Sequence, residues 1–247
     1  MAGSRRRTLG IIAGVAVLVV AAAGFAGWWF LIRDDAPPEA DIDTAGRTLD
    51  EQAGGDASAD AAGGIEGDWT VDTSVGSFDD FSGTWAGYRF EEELASIGTN
   101  TAVGRSPDVT GTMTVAGDEV TAVDVEVDLT TLQSDSGTRD GALRSRGLEA
   151  DTVPTATFAL TQPLALPAGA DAGERVTAEA TGDLTIHGVT QPVTLTVEAQ
   201  LSGTTAAIVG QAPVLLADFD IDPPTGFSVL SINDQGTFEF QIFFTKG

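Results

Sequence analysis

Several segments in the C-terminal part of the chain alternate between apolar and polar residues. The clearest, 123–129, reads Val-Asp-Val-Glu-Val-Asp-Leu, and the same two-residue period recurs in 193–199 and 238–244. Weaker versions span 109–115 and 176–186. Because successive side chains of a β-strand point to opposite faces, this period predicts strands with one buried face and one face in water.

Turn-forming residues separate these segments at 116–118, 187–188 and 233–236. A domain of about 180 residues built this way must close into a barrel or pair two sheets, since either arrangement buries one face of each strand. The two-residue period alone does not separate the two architectures. One polar stretch, 134–153, departs from the alternation and could hold a short helix. No other sustained helical period is recognised after residue 32.

A long apolar run near the N-terminus predicts a membrane anchor. Residues 9–32 carry no charged side chain and end in Trp28, Trp29 and Phe30. About 20 apolar residues span a bilayer, interfacial Trp residues mark its edge, and basic residues mark the cytoplasmic side. Residues 1–8, with three consecutive arginines, are therefore predicted to be cytoplasmic. Residues 9–32 are predicted to be a single-pass transmembrane helix in the cell membrane, with the rest of the chain extracytoplasmic.

A cleavable signal peptide is the alternative, because 21–23 is a run of small alanines. The apolar run is longer than the usual secretory core of about 7–15 residues, which favours an uncleaved anchor. Either interpretation exports everything downstream.

Residues 33–65 are predicted to be a disordered acidic linker. They are rich in Ala, Gly, Asp and Pro, contain no aromatic residue, and carry nine acidic residues against two arginines. Such a segment buries too little apolar surface to offset its chain entropy. The folded domain is therefore expected to span residues 66–247.

Composition excludes several classes of function. Asp and Glu number 37 against 12 Lys and Arg, a net charge of -25, which argues against nucleic acid or an anionic membrane surface as a partner of the folded part. There is no Cys and a single His, so thiol chemistry and His-rich metal sites are excluded. Acidic runs such as 79–80 and 91–93 lack a calcium-loop spacing and are expected to be solvated surface. No cofactor or metal is predicted.

The run 182–195, Gly-Asp-Leu-Thr-Ile-His-Gly-Val-Thr-Gln-Pro-Val-Thr-Leu, resembles the signature hairpin of YceI-like proteins. Further pieces agree with that family in the correct order: the opening strand at 69–74, the central strand at 127–132, the connection at 139–140, and the proline-led strand at 154–158. The resemblance spans about residues 66–245, essentially the whole domain.

The resemblance implies a lipocalin-like, up-and-down antiparallel barrel of about eight strands. It also implies an elongated apolar cavity that takes polyisoprenoids or other long-chain lipids, and many members of the family are exported. One departure concerns the connection, which often reads Arg-Asp-x-His-Leu in the family. Here Ala142 stands at the His position, before Leu143, so a polar role of that His at the cavity mouth is in doubt for this chain.

An eight-stranded barrel is wide enough to be filled by its own side chains or to hold one small ligand. Apolar lining is required for both outcomes, so alternation does not decide between a filled core and a lined cavity. Inward-facing and aromatic positions give the candidate ligand-binding residues. They are Tyr88, Phe90, Val125, Val127, Phe158, Leu195, Val197, Phe219, Phe227, Phe238, Phe240 and Ile242.

Three polar residues are candidates for contacts with a ligand headgroup. Arg139 and Asp140 lie in the long connection, where local hydrogen bonds that fix the loop are the alternative role. His187 lies between two strands, where capping of a turn is the alternative role, and no nucleophile motif accompanies it.

Three functions follow from these observations. The first is a membrane-tethered binding protein for a long apolar molecule such as a polyisoprenoid, a quinone or a similar lipid. The second is an envelope interaction or structural module with a filled barrel. The third, an envelope enzyme, would depend on His187 alone, and no phosphate loop, Gly-x-Ser-x-Gly or zinc motif supports it. A non-enzymatic role is therefore predicted. The oligomeric state is open, with a homodimer as one option.

Overall fold

The computed structural model describes residues 36–52, 64–96, 98–226 and 229–247. In these residues the chain forms one long helix, α1 (Ile42–Gln52), and thirteen strands of a single antiparallel sheet. The strands are β1 (Gly67–Val71), β2 (Trp85–Leu94), β3 (Gly98–Ser106), β4 (Val109–Ala116), β5 (Glu119–Asp128), β6 (Gln133–Ser134), β7 (Thr155–Leu160), β8 (Leu164–Ala165), β9 (Val176–Ile186), β10 (Val189–Ser202), β11 (Thr205–Leu215), β12 (Val229–Ile232) and β13 (Gln235–Lys246). The shorter helical segments are Leu129–Thr131, α2 (Gly137–Ala142), a π-helical turn at Leu143–Gly147, and Leu216–Phe219.

Eight strands pair in a closed ring, in the order β1-β4-β5-β7-β9-β10-β11-β13, and the ring closes where β1 pairs with β13. The predicted all-β antiparallel barrel is therefore confirmed. The second edge of β13 is shared, because β2 pairs with it between Thr237 and Gln241 and β1 pairs with it from Phe244 onward. The β2–β3 hairpin thus continues the wall where β1 ends.

The barrel has two ends, here called upper and lower. The upper end carries the β4–β5 turn at 117–118, the β10–β11 turn at 203–204, and the connection 161–175, which includes β8. The lower end carries the β9–β10 turn at 187–188, the long connection 129–154, and the segment 216–234. Long connections therefore lie at both ends, and the lower end carries two of them.

The alternating segments of the sequence form β4, β5, β9, β10 and β13, so these strand predictions are confirmed. The short helix expected within 134–153 is α2 with the π-helical turn that follows it. Ser136 begins α2 by accepting a hydrogen bond from the Arg139 backbone N–H, the usual role of a serine N-cap.

Strand β11 was not predicted, because it does not alternate. Its inward residues, such as Ala206, and its outward residues, such as Ala207 and Val209, are both buried. A strand that is buried on both faces has no polar period. The outward face of β11 is covered by α1.

Helix α1 lies inside the segment predicted to be a disordered linker, and for residues 42–52 that prediction is wrong. Asp41 caps the helix, because its carboxylate accepts from the Asp43 N–H at 3.1 Å. The buried positions Ile42, Ala45, Gly46 and Leu49 follow a helical period. They pack on Ala207, Val209 and Phe243 on the outside of the barrel, so the helix is stabilised by tertiary packing that linker composition does not reveal.

Residues 36–52, which we call the strap, are also held to the wall by a buried ionic cluster. Arg105 Nη2 is 2.9 Å from Glu239 Oε1 and 2.5 Å from the Pro38 carbonyl, to which it donates. Arg89 Nη2 donates to the Pro37 carbonyl at 2.6 Å and lies 3.4 Å from the same carboxylate oxygen. The Arg105 guanidinium stacks over the Trp85 ring at 3.7 Å. Burial lowers the pKa of Arg105, and the hydrogen bond to Glu239 opposes that shift.

The polar face of β13 is therefore not in water, contrary to the alternation. Glu239 is 0% exposed and Gln241 is 1% exposed. The Gln241 side-chain amide donates to the carbonyls of Phe81, Ser82 and Gly83 at 2.8–3.2 Å, and so fixes the β1–β2 loop on the wall. Burial of Glu239 and Gln241 is tolerated because each of the two side chains has hydrogen-bond partners.

The predicted cytoplasmic segment 1–8 and transmembrane helix 9–32 lie outside the described residues, as does most of 53–65. Among the described helices, none combines the length and the apolar character needed to cross a bilayer.

Replacing Glu239 with Gln should lower the free energy of unfolding by about 3–5 kcal/mol, because two arginines would keep their burial and lose their carboxylate. Chemical unfolding followed by tryptophan fluorescence measures this. Glu126→Gln is the matched control, since Glu126 lies on an exposed part of the wall, and its effect should stay within about 0.5 kcal/mol. Equal effects of the two substitutions would show that the cluster does not stabilise the fold.

Candidate functional site

The barrel encloses two adjoining chambers. The upper chamber has a volume of about 150 Å³, and the lower chamber has a volume of about 490 Å³. Ala86, Val127, Ala156 and Phe238 line both, so the chambers meet at these residues. The two chambers therefore lie next to each other inside the barrel.

The upper chamber is apolar on nearly all sides. Its wall comes from alternate residues of the ring strands, which the period of two directs inward. Val123 and Val125 of β5, Leu195 of β10 and Ile242 of β13 are typical. Water in such a space would find almost no hydrogen-bond partner, and apolar cavities of this size stay dry and accept apolar guests.

Eleven of the twelve candidate residues line one or both chambers. Those on the upper chamber are Val125, Val127, Phe158, Leu195, Val197, Phe238, Phe240 and Ile242, and those on the lower chamber are Tyr88, Phe90, Phe219 and again Val127 and Phe238. Phe227 lies outside the described residues. The walls thus agree with the sequence pattern, while contact of these residues with a ligand stays a prediction.

Aromatic rings pack against glycines of neighbouring strands in the walls of the chambers, and we propose that these pairs keep the chambers open. A Cβ atom on Gly210 would lie 2.4 Å from the Phe240 ring, so that ring packs directly against the glycine of the neighbouring strand. Tyr88 covers Gly104 in the same way, at 2.6 Å from its hydroxyl oxygen. Phe158 over Gly182 and Phe90 over Gly236 repeat the arrangement. Rings that lie along the wall contribute apolar surface without filling the space inside.

A charged network stands in the wall of the lower chamber. Arg139 Nη2 is 2.6 Å from Glu92 Oε1, Asn100 donates to the same oxygen at 2.8 Å, and Arg139 also pairs with Asp135. Burial lowers the pKa of Arg139, but its pairing with Asp135 and Glu92 outweighs burial and raises it. Glu92 is 3% exposed, so the expectation that the whole triplet 91–93 is solvated surface is wrong for Glu92. Glu92 follows Tyr88 and Phe90 at a two-residue period, so it lies on the inward face of the strand, and this spacing is the sequence signal that could have shown its burial.

The two other polar candidates serve local structure. Asp140 accepts a hydrogen bond from Ser134 Oγ at 2.6 Å, which ties α2 to β6. His187 occupies the β9–β10 turn with a φ of 53°. Its ring nitrogens lie 3.2 Å from the Phe219 carbonyl and 3.3 Å from Glu149 Oε2. Of the three polar candidates, only Arg139 lines a chamber.

Tyr88 is the single tyrosine of the chain and faces the lower chamber with its ring. Its hydroxyl oxygen is buried and has no hydrogen-bond partner among the described residues. Burial raises the pKa of this phenol well above its ordinary value of 10.0, and the nearby charge of Arg139 only partly opposes the shift. The phenol therefore stays protonated in the folded protein.

Comparison with known protein families shows the family to which this chain belongs. Residues 62–244 match the YceI-like domain. The chain belongs to the YceI-like family. In this YceI-like protein the position of the family's frequent His is occupied by Ala142, which lines the lower chamber and adds apolar surface there.

Two solved structures share the YceI-like fold of this chain. One is a polyisoprenoid binding domain from Saccharophagus degradans implicated in plant cell wall breakdown, with a TM-score of 0.54, 19% identity, and coverage of 72% of this chain and 98% of that one. The other is BcnA of Burkholderia cenocepacia, with a TM-score of 0.52, 18% identity, and coverage of 70% and 98%. At these identities the likeness concerns the fold.

Sequence relatives include a UPF0312 protein of Vibrio parahaemolyticus, 38% identical over 106 residues that cover 40% of this chain and 52% of the relative. A UPF0312 protein of Vibrio campbellii is 37% identical with the same coverage. The chain thus spans about half the length of these relatives.

Replacing Gly210 with Ala should force the Phe240 ring into the upper chamber and weaken binding of an apolar fluorescent probe severalfold. Titration with N-phenyl-1-naphthylamine measures this, and overpacking should cost about 1–3 kcal/mol of stability. Gly137→Ala is the control, because no atom lies within 4 Å of a Cβ there. Unchanged probe affinity in a folded Gly210→Ala protein would contradict the proposed role of the ring and glycine pairs.

Alkaline titration should show no phenolate absorbance while the protein stays folded. Because the folded pKa of Tyr88 lies above the unfolded value of 10.0, the unfolded chain releases a proton that the folded chain keeps. Stability from this group is thus complete below pH 10 and falls as pH rises further. Denatured protein should titrate near its ordinary value, whereas a reversible phenolate signal near pH 10 with native circular dichroism would show that the hydroxyl is accessible.

Proposed function

We propose that this chain is a membrane-tethered, extracytoplasmic binding protein that holds one long apolar molecule, such as a polyisoprenoid, a quinone or a similar lipid, inside its barrel. The observation that carries the proposal is the pair of adjoining chambers inside the barrel, with a wall that is almost wholly apolar in the upper chamber and mainly apolar in the lower one. A module that only displays its outer surface to a partner would need no such internal space.

Open space inside a barrel is costly unless it is occupied. A cavity costs stability in proportion to its size, because the side chains around it lose packing contacts. In this wall the glycines leave room for Phe240 and Tyr88 to lie against neighbouring strands, away from the centre. Larger residues at Gly210 or Gly104 would push these rings inward, where they would fill the space. A wall that is arranged to stay open favours a bound molecule over a filled core.

The energetics favour a long ligand. Burial of one CH₂ group contributes about 0.8 kcal/mol, while association and ordering cost about 4–15 kcal/mol. A chain of tens of carbons that fills both chambers exceeds this cost, whereas a short fatty acid gains much less. A ligand that reaches through the junction at Ala156 should therefore bind most tightly.

The family supports the same class of ligand. The related structure from Saccharophagus degradans is described as a polyisoprenoid binding domain. The tether rests on the sequence, because residues 9–32 are uncharged, follow three arginines and end in an aromatic cluster. Together these observations support a lipid-binding barrel held at the cell membrane.

Mass spectrometry of an organic extract from the full chain, purified from its own host, tests the proposal. A long apolar molecule should be released at close to one per protein. If the extract is empty, and the folded protein also fails to take up added long-tailed quinones or polyprenols, the proposed function is wrong.

Replacing Ala156 with Leu should weaken binding of a long-tailed quinone more than binding of a short-tailed one, because the added carbons narrow the junction of the chambers. Ala159→Leu is the matched control on the same strand, at a position that does not line either chamber. Quinone fluorescence quenching measures both affinities. An equal loss for long and short tails would show that the two chambers do not hold a single chain.

A further inference from the structure

Two large apolar side chains are exposed among the described residues, and both lie at the lower end of the barrel. Leu215, at the end of β11, is 42% exposed, and Leu230 of β12 is 59% exposed. Single exposed leucines are ordinary on protein surfaces. Leu215 lines the lower chamber, and Leu230 lies in the chain between Val229 and Ile232, which also line it. All other large apolar side chains described are at least partly covered, so these two leucines mark an apolar rim beside that chamber.

The same mouth carries exposed cations. Arg144 and Arg146 lie in the π-helical turn, and both are exposed. Arg146 lines the lower chamber together with Leu215 and Pro224. Guanidinium groups beside exposed leucines suit the phosphate layer of a bilayer, where arginine side chains reach the headgroups and apolar side chains enter the boundary with the acyl chains.

Carboxylates accompany these arginines. Asp218 and Asp220 are exposed at the same end, and the chain carries a net charge of -25. The rim is therefore not a basic patch that attracts anionic lipid over a distance. Contact with a bilayer through this rim would be apolar, and weak without a tether.

The strap sets which end of the barrel can reach the membrane. The strap is joined to the wall at Pro37, whose carbonyl accepts a hydrogen bond from Arg89. Arg89 lies five residues before the lower end of β2 at Leu94, a distance of about 17 Å along the strand. Opposite Arg89, Thr237 lies nine residues before Lys246 at the upper end, about 30 Å away along β13.

From Pro37 the strap runs upward, because Asp43 at the start of α1 pairs with Arg175 at 2.5 Å, next to the upper end of β9. Only five peptide steps separate Pro37 from Ile32, the last residue of the apolar run. Five steps span at most about 18 Å. The tether is thus long enough to reach the level of the lower mouth but too short to reach the upper one.

We infer that the lower mouth, with Leu215 and Leu230 in its rim, is seated on the bilayer surface, so that a lipid passes between membrane and lower chamber without crossing water. The inference rests on the proposed function, because it needs the tether and an apolar cargo. It adds to the proposed function the orientation of the barrel on the membrane and the face through which the lipid enters. Neither the tether nor the apolar cargo requires these by itself.

The full chain, reconstituted in phosphatidylcholine vesicles, tests this orientation. Its lack of cysteine allows single-site labelling with an environment-sensitive dye at Ser231→Cys, beside Leu230, and at Thr204→Cys in the upper turn. Both positions are exposed. Spin-labelled lipids should quench the dye at position 231 about twofold or more above that at position 204, since interfacial side chains enter about 5–10 Å into the headgroup boundary.

Adding Leu215→Asn and Leu230→Asn to the Ser231→Cys protein should lower its quenching toward the value at position 204. Part-replacement of phosphatidylcholine by an anionic lipid should also lower it, because the acidic domain is repelled. A chain that floats with the vesicles but shows equal quenching at both positions overturns the orientation and leaves the tether intact. A chain that does not float with vesicles overturns the tether and this inference together, while lipid extraction still decides the cargo separately.

Discussion

The pairing of β13 with its neighbours is the interaction on which the rest of the molecule depends. One edge of this strand pairs with β11 along its full length, and the other is divided between β2 and β1, which closes the ring. Its inward face supplies Phe238, Phe240 and Ile242 to the chambers. Its outward face supplies Glu239 and Gln241, which hold the strap and the β1–β2 loop. A closed barrel, an apolar interior and a covered outer wall are thus set by one strand.

The inside and the outside of the barrel wall use polar and apolar residues in opposite ways. Apolar residues line the open space inside, and buried charged residues position the strap outside. Inside, glycines let aromatic rings lie along the wall, so that a row of large residues leaves space in the centre. Outside, charged residues are buried where the strap crosses β2, β3 and β13. Buried ion pairs add less stability than apolar packing, but they are strict about geometry, because an unpaired partner is costly. The cluster therefore specifies where the strap lies more than how tightly it is held.

Alternation in the sequence predicts the inward face of the barrel well, since the walls of both chambers are built from side chains of regular strands. Alternation does not predict strand β11, because its outward residues Ala207 and Val209 are covered by α1 and are apolar rather than polar. Alternation does not predict helix α1 either, because the apolar stripe of this helix is short and lies among residues typical of a linker. The capping residue Asp41 and the helical spacing of Ile42, Ala45 and Leu49 are nevertheless present in the sequence. The burial of Glu92 and Glu239 is also not predicted. A carboxylate in a strand is expected to face water unless a partner arginine is known, and here the partner is distant in sequence. Long-range pairing of this kind is absent from any local pattern.

The strap also shifts the boundary of the folding unit. The family match begins at residue 62, yet the outer wall of the barrel is completed by residues 36–52. A protein shortened to the matched region would present Phe243, Val209 and the arginines around Glu239 to solvent, with an apolar patch beside uncovered charge. The region that matches the family and the unit that folds with a covered outer wall therefore differ in this chain, because residues 36–52 are part of its folded architecture.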